Sequence, residues 1–473
     1  MFKTKDIQIS FLKSALTSEN RFNSTESILN WIKERNNKVK VRIDKVSFSG
    51  LDDWILDGEK GCLRHSSNKF FSIIGINVQS NFNVHKEWDQ PIISQPEIGY
   101  LGFITKEING ILYFLIQAKI EPGNVNHVQI SPTVQATKSN YTQVHGGTKP
   151  KYLEYFTKVS NNNILLDQLQ SEQGGRFYKK RNRNMIINVD EKIPVYEDFK
   201  WATLGQIKEI MAIDNIINMD TRTVISGISF GNFSHRTVIF YNLLNSDKNT
   251  IGKRFLESSI TNDASLFTFQ EIIHWITKIK VKYDVKIEKK SIFNLEDWIV
   301  DQNVIKHKEN KYFNIIGVDV QIGNREVKSW GQPLIEPVSH GLCAFLVKEI
   351  NGILHFLVQA KMESGNFDII EIAPTVQCSK VDLSNRKDIP FLDTILDSPE
   401  DNVILDSLQS EEGGRFYKEQ NRNKIVFADD NFALNNIPEN YNWMTLNQLK
   451  RFIVFNNYVN IQARSLISAI NYK

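Results

Sequence analysis

One block of sequence constrains this chain more than any other. Leu165–Asn184, LLDQLQSEQGGRFYKKRNRN, returns at Leu405–Asn423 as LDSLQSEEGGRFYKEQNRN, 239 positions further on. A stretch so rich in Gln, Glu, Arg and Asn is too polar to be copied for core packing alone, so the duplication points to a site. Leu165, Leu166 and Leu169 fit one helical stripe, and Gly174-Gly175 stand where glycines end helices. The expectation is a helix that stops at the glycines and runs into Arg176, Arg181, Asn182 and Arg183. Guanidinium forks of this kind suit bidentate contact to phosphate or carboxylate. A single copy could equally be a capped helix with a solvated basic end; two copies favour a site.

The duplication extends well beyond this block. Ser27–Ile32 matches Glu271–Ile276, and Leu51–Ile55 matches Leu295–Ile299, both at an offset of 244. Phe71–Gly75 then pairs with Phe313–Gly317, Trp88–Pro91 with Trp330–Pro333, and Asn109–Lys119 with Asn351–Lys361, at 242. The same offset returns at Trp201 and Trp443. These matches define two units, 22–228 and 266–470, with 229–265 as a connector. A period this long means duplicated domains rather than a solenoid.

Composition sets the outer limits. A chain of 473 residues has room for two or three domains with full cores. A net charge of +3 gives no global attraction for nucleic acid, and the basic run Lys179–Arg183 is diluted by Glu419 in its copy. Cys62, Cys343 and Cys378 lack the spacing of a disulfide framework or a zinc site. The first residues, MFKTKDIQISFLKSALTSEN, contain no apolar signal-peptide core, and no run reaches membrane-spanning length, so a cytoplasmic location is expected.

Each unit reads as α+β. Ser24 or Thr25 can cap a helix that carries Ile28, Trp31 and Ile32 on one face. Val39–Phe48 and Phe70–Val78 read as strands. Asn109-Gly110 and Asn351-Gly352 each separate two apolar runs, a strong hairpin signal. The expected architecture is a curved mixed or antiparallel sheet with flanking helices, given twice. No GxGxxG or Walker loop follows a strand, which argues against nicotinamide and NTPase folds.

Taken in order, Phe-x-Ile-Ile-Gly, Trp-x-Gln-Pro, Gln-Ala-Lys-x-Glu-x-Gly-Asn, Pro-Thr-Val-Gln, His-Gly-Gly, Gln-Ser-Glu-Gln-Gly-x-Arg-Phe and Asn-Arg-Asn resemble the NDP-hexose 2,3-dehydratase family over about 22–470. The resemblance implies tandem Nudix-like domains, a homodimer, and action on dTDP-4-keto-6-deoxyglucose without a cofactor. It further implies two nucleotide-sugar pockets, one catalytic and one a relic of duplication. A metal-dependent Nudix hydrolase needs Arg-Glu-x-x-Glu-Glu-x-Gly on one helix. Here Glu411-Glu412 match only its tail, and Glu172-Gln173 less. So few carboxylates make a poor magnesium cage, and no metal is expected.

The implied reaction requires a base, an acid and donors for an enolate oxygen. Both units keep the lysine that ends the hairpin, Lys119 or Lys361, and the glutamate of the QSE motif, Glu172 or Glu411. They differ where the first has Tyr141, His145, Gly146 and Gly147 and the second has a deletion. Tyr141, His145, Lys119 and Glu172 are thus the candidate catalytic groups. Trp88, Gln117, Gln135, Thr137, Ser139, Gly146, Gly147, Arg176, Arg181, Asn182 and Arg183 are the candidates for binding. Their counterparts Trp330, Gln359, Lys361, Gln377, Glu411, Arg415, Asn421 and Arg422 would form the second pocket. Two other classes remain open on the residues alone: a Nudix-type nucleotide-sugar hydrolase, and a non-catalytic nucleotide-sugar binding protein.

Overall fold

A computed structural model describes residues 4–20, 22–82, 86–138, 149–244, 250–322, 329–381, 386–429 and 431–473. Helices Thr25–Lys38 and Phe269–Lys282 open the two repeats. Ser24 caps the first by accepting from Ser27 N, and Thr268 closes a capping box with Glu271 on the second. Ile28 and Ile32 are buried, while Trp31 lies at the rim and donates to Glu197 O. Both Asn-Gly pairs close hairpins. Gly99–Ile108 and Ile111–Ile120 meet at Asn109 (φ 54) and Gly110 (φ 77). Gly341–Ile350 and Ile353–Lys361 meet at Asn351 (φ 55) and Gly352 (φ 75). Two successive positive φ values give the turn that follows strand twist, and Asn and Gly reach them at least cost.

A seven-stranded sheet grows around each hairpin. In the first half its order is Ile164–Ser171, Arg181–Asn188, Gly99–Ile108, Ile111–Ile120, Phe199–Thr203. Val128–Ser131 and Val134–Ala136 attach to the two hairpin strands. Arg181–Asn188 runs parallel to Gly99–Ile108 and the other pairings are antiparallel, so the sheet is mixed. Val403–Ser410, Gln420–Phe427, Gly341–Ile350, Ile353–Lys361 and Tyr441–Thr445 repeat the order in the second half.

The helix expected over Leu165–Leu169 is a strand, Ile164–Ser171, paired with Arg181–Asn188. A bulge between Ile164 and Leu166 accounts for the misleading spacing. One extra residue breaks the alternation, so leucines at 165, 166 and 169 imitate a helical stripe. Gly174-Gly175 therefore ends no helix.

Two smaller sheets tie the halves together by exchanging strands. Ser72–Ser80 pairs with Glu87–Ser94 and Cys62–His65 of its own half, and with Val285–Lys290 of the other, Ile287 opposite Val78. Reciprocally, Val41–Val46 lies antiparallel on Phe313–Ile322, with Ile43 opposite Val320. Helix Met219–Ser226 packs against Ile461–Ala469, and Val224, Ile225, Ala463, Leu466 and Ile467 belong to one core. Burying each of the larger side chains, Val224, Ile225, Leu466 and Ile467, contributes about 1.5–3 kcal/mol.

The repeat also reaches further back than sequence matching indicated. Ser14, on helix Thr4–Ala15, donates to Leu112 O at 2.5 Å and accepts from Leu204 N at 2.9 Å. Ser258, on helix Ile251–Ile260 within the expected connector, donates to Leu354 O at 2.6 Å and accepts from Leu446 N at 2.9 Å. Among the described residues no helix is long and apolar enough to cross a membrane.

Candidate active site

The duplicated glycines mark where the halves cross. The turn Glu121-Pro-Gly-Asn124, just past the hairpin, docks on Gly413-Gly414 of the other repeat. Gly123 N donates to Gly413 O at 2.7 Å, and Lys418 N to Gly123 O at 2.7 Å. In mirror fashion Gly365 N donates to Gly174 O at 2.6 Å and Lys179 N to Gly365 O at 2.8 Å. A Cβ on Gly123 would stand 1.6 Å from Phe416 O, and one on Gly174 2.0 Å from Asn366 Oδ1. Close backbone approach, rather than helix termination, is why glycine stands here.

This crossing gathers a polar group around the end of strand Ile111–Ile120. Lys119 Nζ donates to Gln135 O at 3.1 Å. The Gln135 amide is fixed at both ends, donating to Glu121 Oε1 at 2.7 Å and accepting from Asn218 Nδ2 at 3.1 Å. Asn218 caps helix Met219–Ser226, which places Asp220 in the first turn at 2% exposure. Glu172 accepts from Asn182 Nδ2 at 2.7 Å, and Asn182 Oδ1 in turn accepts from Gly99 N at 3.1 Å. Lys180 donates to Glu97 O.

The second repeat completes the group. Arg415 lies with its guanidinium 4.2 Å from the centre of the Phe71 ring, and its Nε donates to Gln95 Oε1 at 3.3 Å. Glu412 feels Glu172, Glu121, Lys180 and Arg415. Burial raises the Glu412 carboxyl to about 7 despite Arg415, raises Glu172 despite Arg464 and Lys180, and lifts Asp220 well above the usual carboxylate range. Burial also lowers Lys180, against the pull of Glu172. A carboxyl raised to about 7 beside cations, as Glu412 is, is equipped for acid–base work.

The matching group in the second half has the same frame. Lys361 Nζ reaches Gln377 O at 3.5 Å, Gln377 donates to Glu363 Oε1 at 3.0 Å, and Asn460 donates to Gln377 Oε1 at 2.7 Å. Glu411 accepts from Asn421 and from Gln173 of the first repeat. Arg176 lies over Phe313 with its guanidinium 4.3 Å from the ring centre, and Arg181 over Phe367 at 4.1 Å. The two glycine-flanking arginines thus exchange places relative to a grouping by repeat. Arg415 stands with Lys119, and Arg176 with Lys361.

Other sequence candidates take different positions. Strand alternation sends Asn182 inward and Arg183 outward, where Arg183 forms a fork on Asp167 at 2.7 and 2.5 Å. Arg422 does the same on Asp406 at 2.6 Å for both contacts. Trp88 donates to Gln90 Oε1 at 3.0 Å, and Gln90 to Gly175 O at 3.3 Å, so the Trp-x-Gln motif braces the Gly-Gly turn. Trp330, Gln332 and Gly414 repeat this at 2.8 and 2.9 Å. Gln117 Oε1 lies 3.4 Å from Ser131 Oγ, and Gln359 donates to Pro374 O and Thr375 O at 2.9 and 3.1 Å. Thr137 follows strand Val134–Ala136. Ser139, Tyr141, His145, Gly146 and Gly147 lie outside the described residues.

Sequence reasoning passed over Glu121, Lys180, Asn218, Asp220 and Glu412. A signal existed for most of them. Glu121 belongs to the duplicated Gln-Ala-Lys-x-Glu-x-Gly-Asn motif, and Asn218-x-x-x-Arg222 recurs as Asn460-x-x-x-Arg464. The two arginines of that motif are fully buried. Arg222 donates to Gln409 Oε1 at 3.0 Å and Arg464 to Gln170 Oε1 at 2.7 Å, each across to the opposite repeat.

The sequence profile of the NDP-hexose 2,3-dehydratase family matches residues 25–228 and again 269–470. A protein of Saccharopolyspora spinosa named dTDP-4-dehydro-6-deoxy-alpha-D-glucopyranose 2,3-dehydratase is 40% identical over 464 residues, covering 98% of this chain and 94% of its own. Proteins of the same name from Amycolatopsis orientalis and Streptomyces violaceoruber are each 38% identical. They cover 97% and 95% of this chain and 92% and 98% of theirs. The chain belongs to the NDP-hexose 2,3-dehydratase family.

Proposed function

We propose that the chain is a hydro-lyase that removes water across C2 and C3 of dTDP-4-keto-6-deoxyglucose, giving the 3,4-diketo-2,6-dideoxy sugar nucleotide of deoxysugar biosynthesis. The observation that carries this reading is near-full-length identity of 38–40% to three proteins so named. The C4 ketone of the substrate acidifies the C3 proton. Its removal gives an enolate, which collapses as the C2 hydroxyl leaves with a proton. The resulting enol at C3 tautomerises, losing its hydroxyl proton while C2 gains one. Lys119, already aligned by Gln135, is a suitable donor to the enolate oxygen.

Turnover is assigned to the pocket around Lys119 and nucleotide-sugar binding alone to the pocket around Lys361. Two asymmetries support this. Only the first repeat has Tyr141 and His145, and around Lys119 the acids Asp220 and Glu412 stand where the other pocket has Gln462 and Gln173. The repeats are read as Nudix-like domains, the protein as a cytoplasmic homodimer, and catalysis as independent of any cofactor. The family resemblance supports the Nudix-like domains, the homodimer and the cofactor independence, and free Cys62, Cys343 and Cys378 suit a reducing compartment. Incubation with dTDP-4-keto-6-deoxyglucose tests the reading. Mass spectrometry should find a dTDP-sugar lighter by one water. Release of dTMP would favour the hydrolase instead.

A further inference from the structure

We propose that Glu412, delivered by the second repeat, and Asp220 of the first are the proton-transfer pair of the Lys119 pocket. The catalytic centre would then exist only because the two repeats cross. This rests on the dehydratase reading and names the groups that move its protons.

Matched positions carry the first argument. The two pockets share a lysine, a glutamate after it, a glutamine, a QSE glutamate and two asparagines. At the positions of Glu412 and Asp220, however, the Lys361 pocket has Gln173 and Gln462. Glutamine has a similar shape and can hydrogen-bond a sugar, but it cannot take or give a proton at neutral pH.

Geometry carries the second. A Cβ on Gly414 would lie 3.2 Å from Glu412 Oε1 and 3.4 Å from Glu121 Oε1, so carboxylates from the two repeats converge on one point. Glu121 is 4% exposed, and its Oε2 has no hydrogen-bond partner among the described residues. Asp220 is 2% exposed, and Glu412, Glu121, Glu172 and Lys119 all act electrostatically on its carboxyl. A buried carboxyl oxygen left open, as on Glu121, is costly, and a substrate hydroxyl would satisfy it. Lys119 and Glu172 act electrostatically on Asp220, and Arg415, Lys180 and Glu172 on Glu412. Burial raises the proton affinity of both carboxyls, which suits a pair that exchanges protons with a substrate.

The assignment closes as a cycle. Ionised Glu412 takes the C3 proton, and the C–H electron pair forms the C3–C4 enolate. As the C4 carbonyl re-forms, a C2–C3 double bond develops and the C2–O bond breaks. Protonated Asp220 gives its proton to the departing hydroxyl, which leaves as water. The Asp220 carboxylate then accepts the O3 proton while Glu412 returns one to C2. Both side chains are reset, and the net change is loss of one water.

Glu412→Gln and Asp220→Asn in the full chain test this, each giving the pocket an amide where the other pocket already has one. Turnover of dTDP-4-keto-6-deoxyglucose should fall about 100-fold or more in each. Calorimetry should find dTDP affinity within about threefold of native. Recovered substrate in D₂O should lose its C3 exchange in Glu412→Gln and keep it in Asp220→Asn, and Glu412→Asp should recover part of the turnover. Turnover within tenfold of native in either amide variant, lost dTDP binding, or C3 exchange persisting in Glu412→Gln would overturn the assignment. A native protein that binds dTDP yet leaves the sugar nucleotide intact would instead sink the dehydratase reading itself.

Discussion

Gly123 of the first repeat donates its amide to the carbonyl of Gly413 of the second at 2.7 Å, and there is no room between them for a side chain. Gly123→Ala would set a Cβ 1.6 Å from Phe416 O, so the crossing must open or strain. The expected cost is about 2 kcal/mol or more in urea unfolding. Gly58→Ala, where a Cβ meets nothing within 4 Å, should stay within about 0.5 kcal/mol. Equal stabilities would mean that the turns are not held together as described.

Because the arginines cross, each should serve the pocket of the opposite repeat. Losing one charge-assisted contact costs about 1.5–3 kcal/mol. Arg415→Ala should therefore weaken dTDP at the Lys119 pocket by about tenfold or more, and Arg176→Ala should weaken it at the Lys361 pocket. Two-site calorimetry, with each site identified by nuclear magnetic resonance of labelled lysine, distinguishes them. If both variants weaken the same site, the crossing has no role in binding.

Glu371 gives the fold a pH signature. Its Oε2 accepts from Ser171 Oγ of the first repeat at 2.8 Å, and burial raises its carboxyl to about 7. The unfolded chain releases this proton near the ordinary value of 4.5. Between those values the native state binds more protons than the unfolded state, so stability falls as pH rises through the window. Glu371→Gln, which supplies the residue found at the matching Gln129, should flatten that slope and stabilise the protein at pH 7.5 by about 1 kcal/mol or more. A variant with the native slope would show that Glu371 is ionised throughout.

Much of this was legible in the sequence, because duplication exposes what must be kept. The hairpins followed from Asn-Gly, the opening helices from their caps, and the likeness of the two halves from the repeat itself. What failed did so for local reasons. One bulged residue at Ile164–Leu166 turned a strand into an apparent helix. Alternation along Arg181–Asn188 faced Asn182 inward and Arg183 to solvent, which a list of polar residues cannot reveal. Exchange between the halves was the least visible feature. A repeat in sequence says which residues correspond, not which repeat each side chain serves, and so Arg415 was grouped with Lys361 and Glu412 with neither lysine.

The most direct measurement compares two variants of the same residue in the two pockets. Lys119→Met and Lys361→Met remove matching amines, each held by the carbonyl of a matching glutamine. If dehydration takes place only beside Lys119, turnover of dTDP-4-keto-6-deoxyglucose should fall about 10²–10³-fold in Lys119→Met. It should stay within a few-fold of native in Lys361→Met. Loss of turnover in Lys361→Met, with Lys119→Met running normally, would contradict the account and move the chemistry to the other pocket.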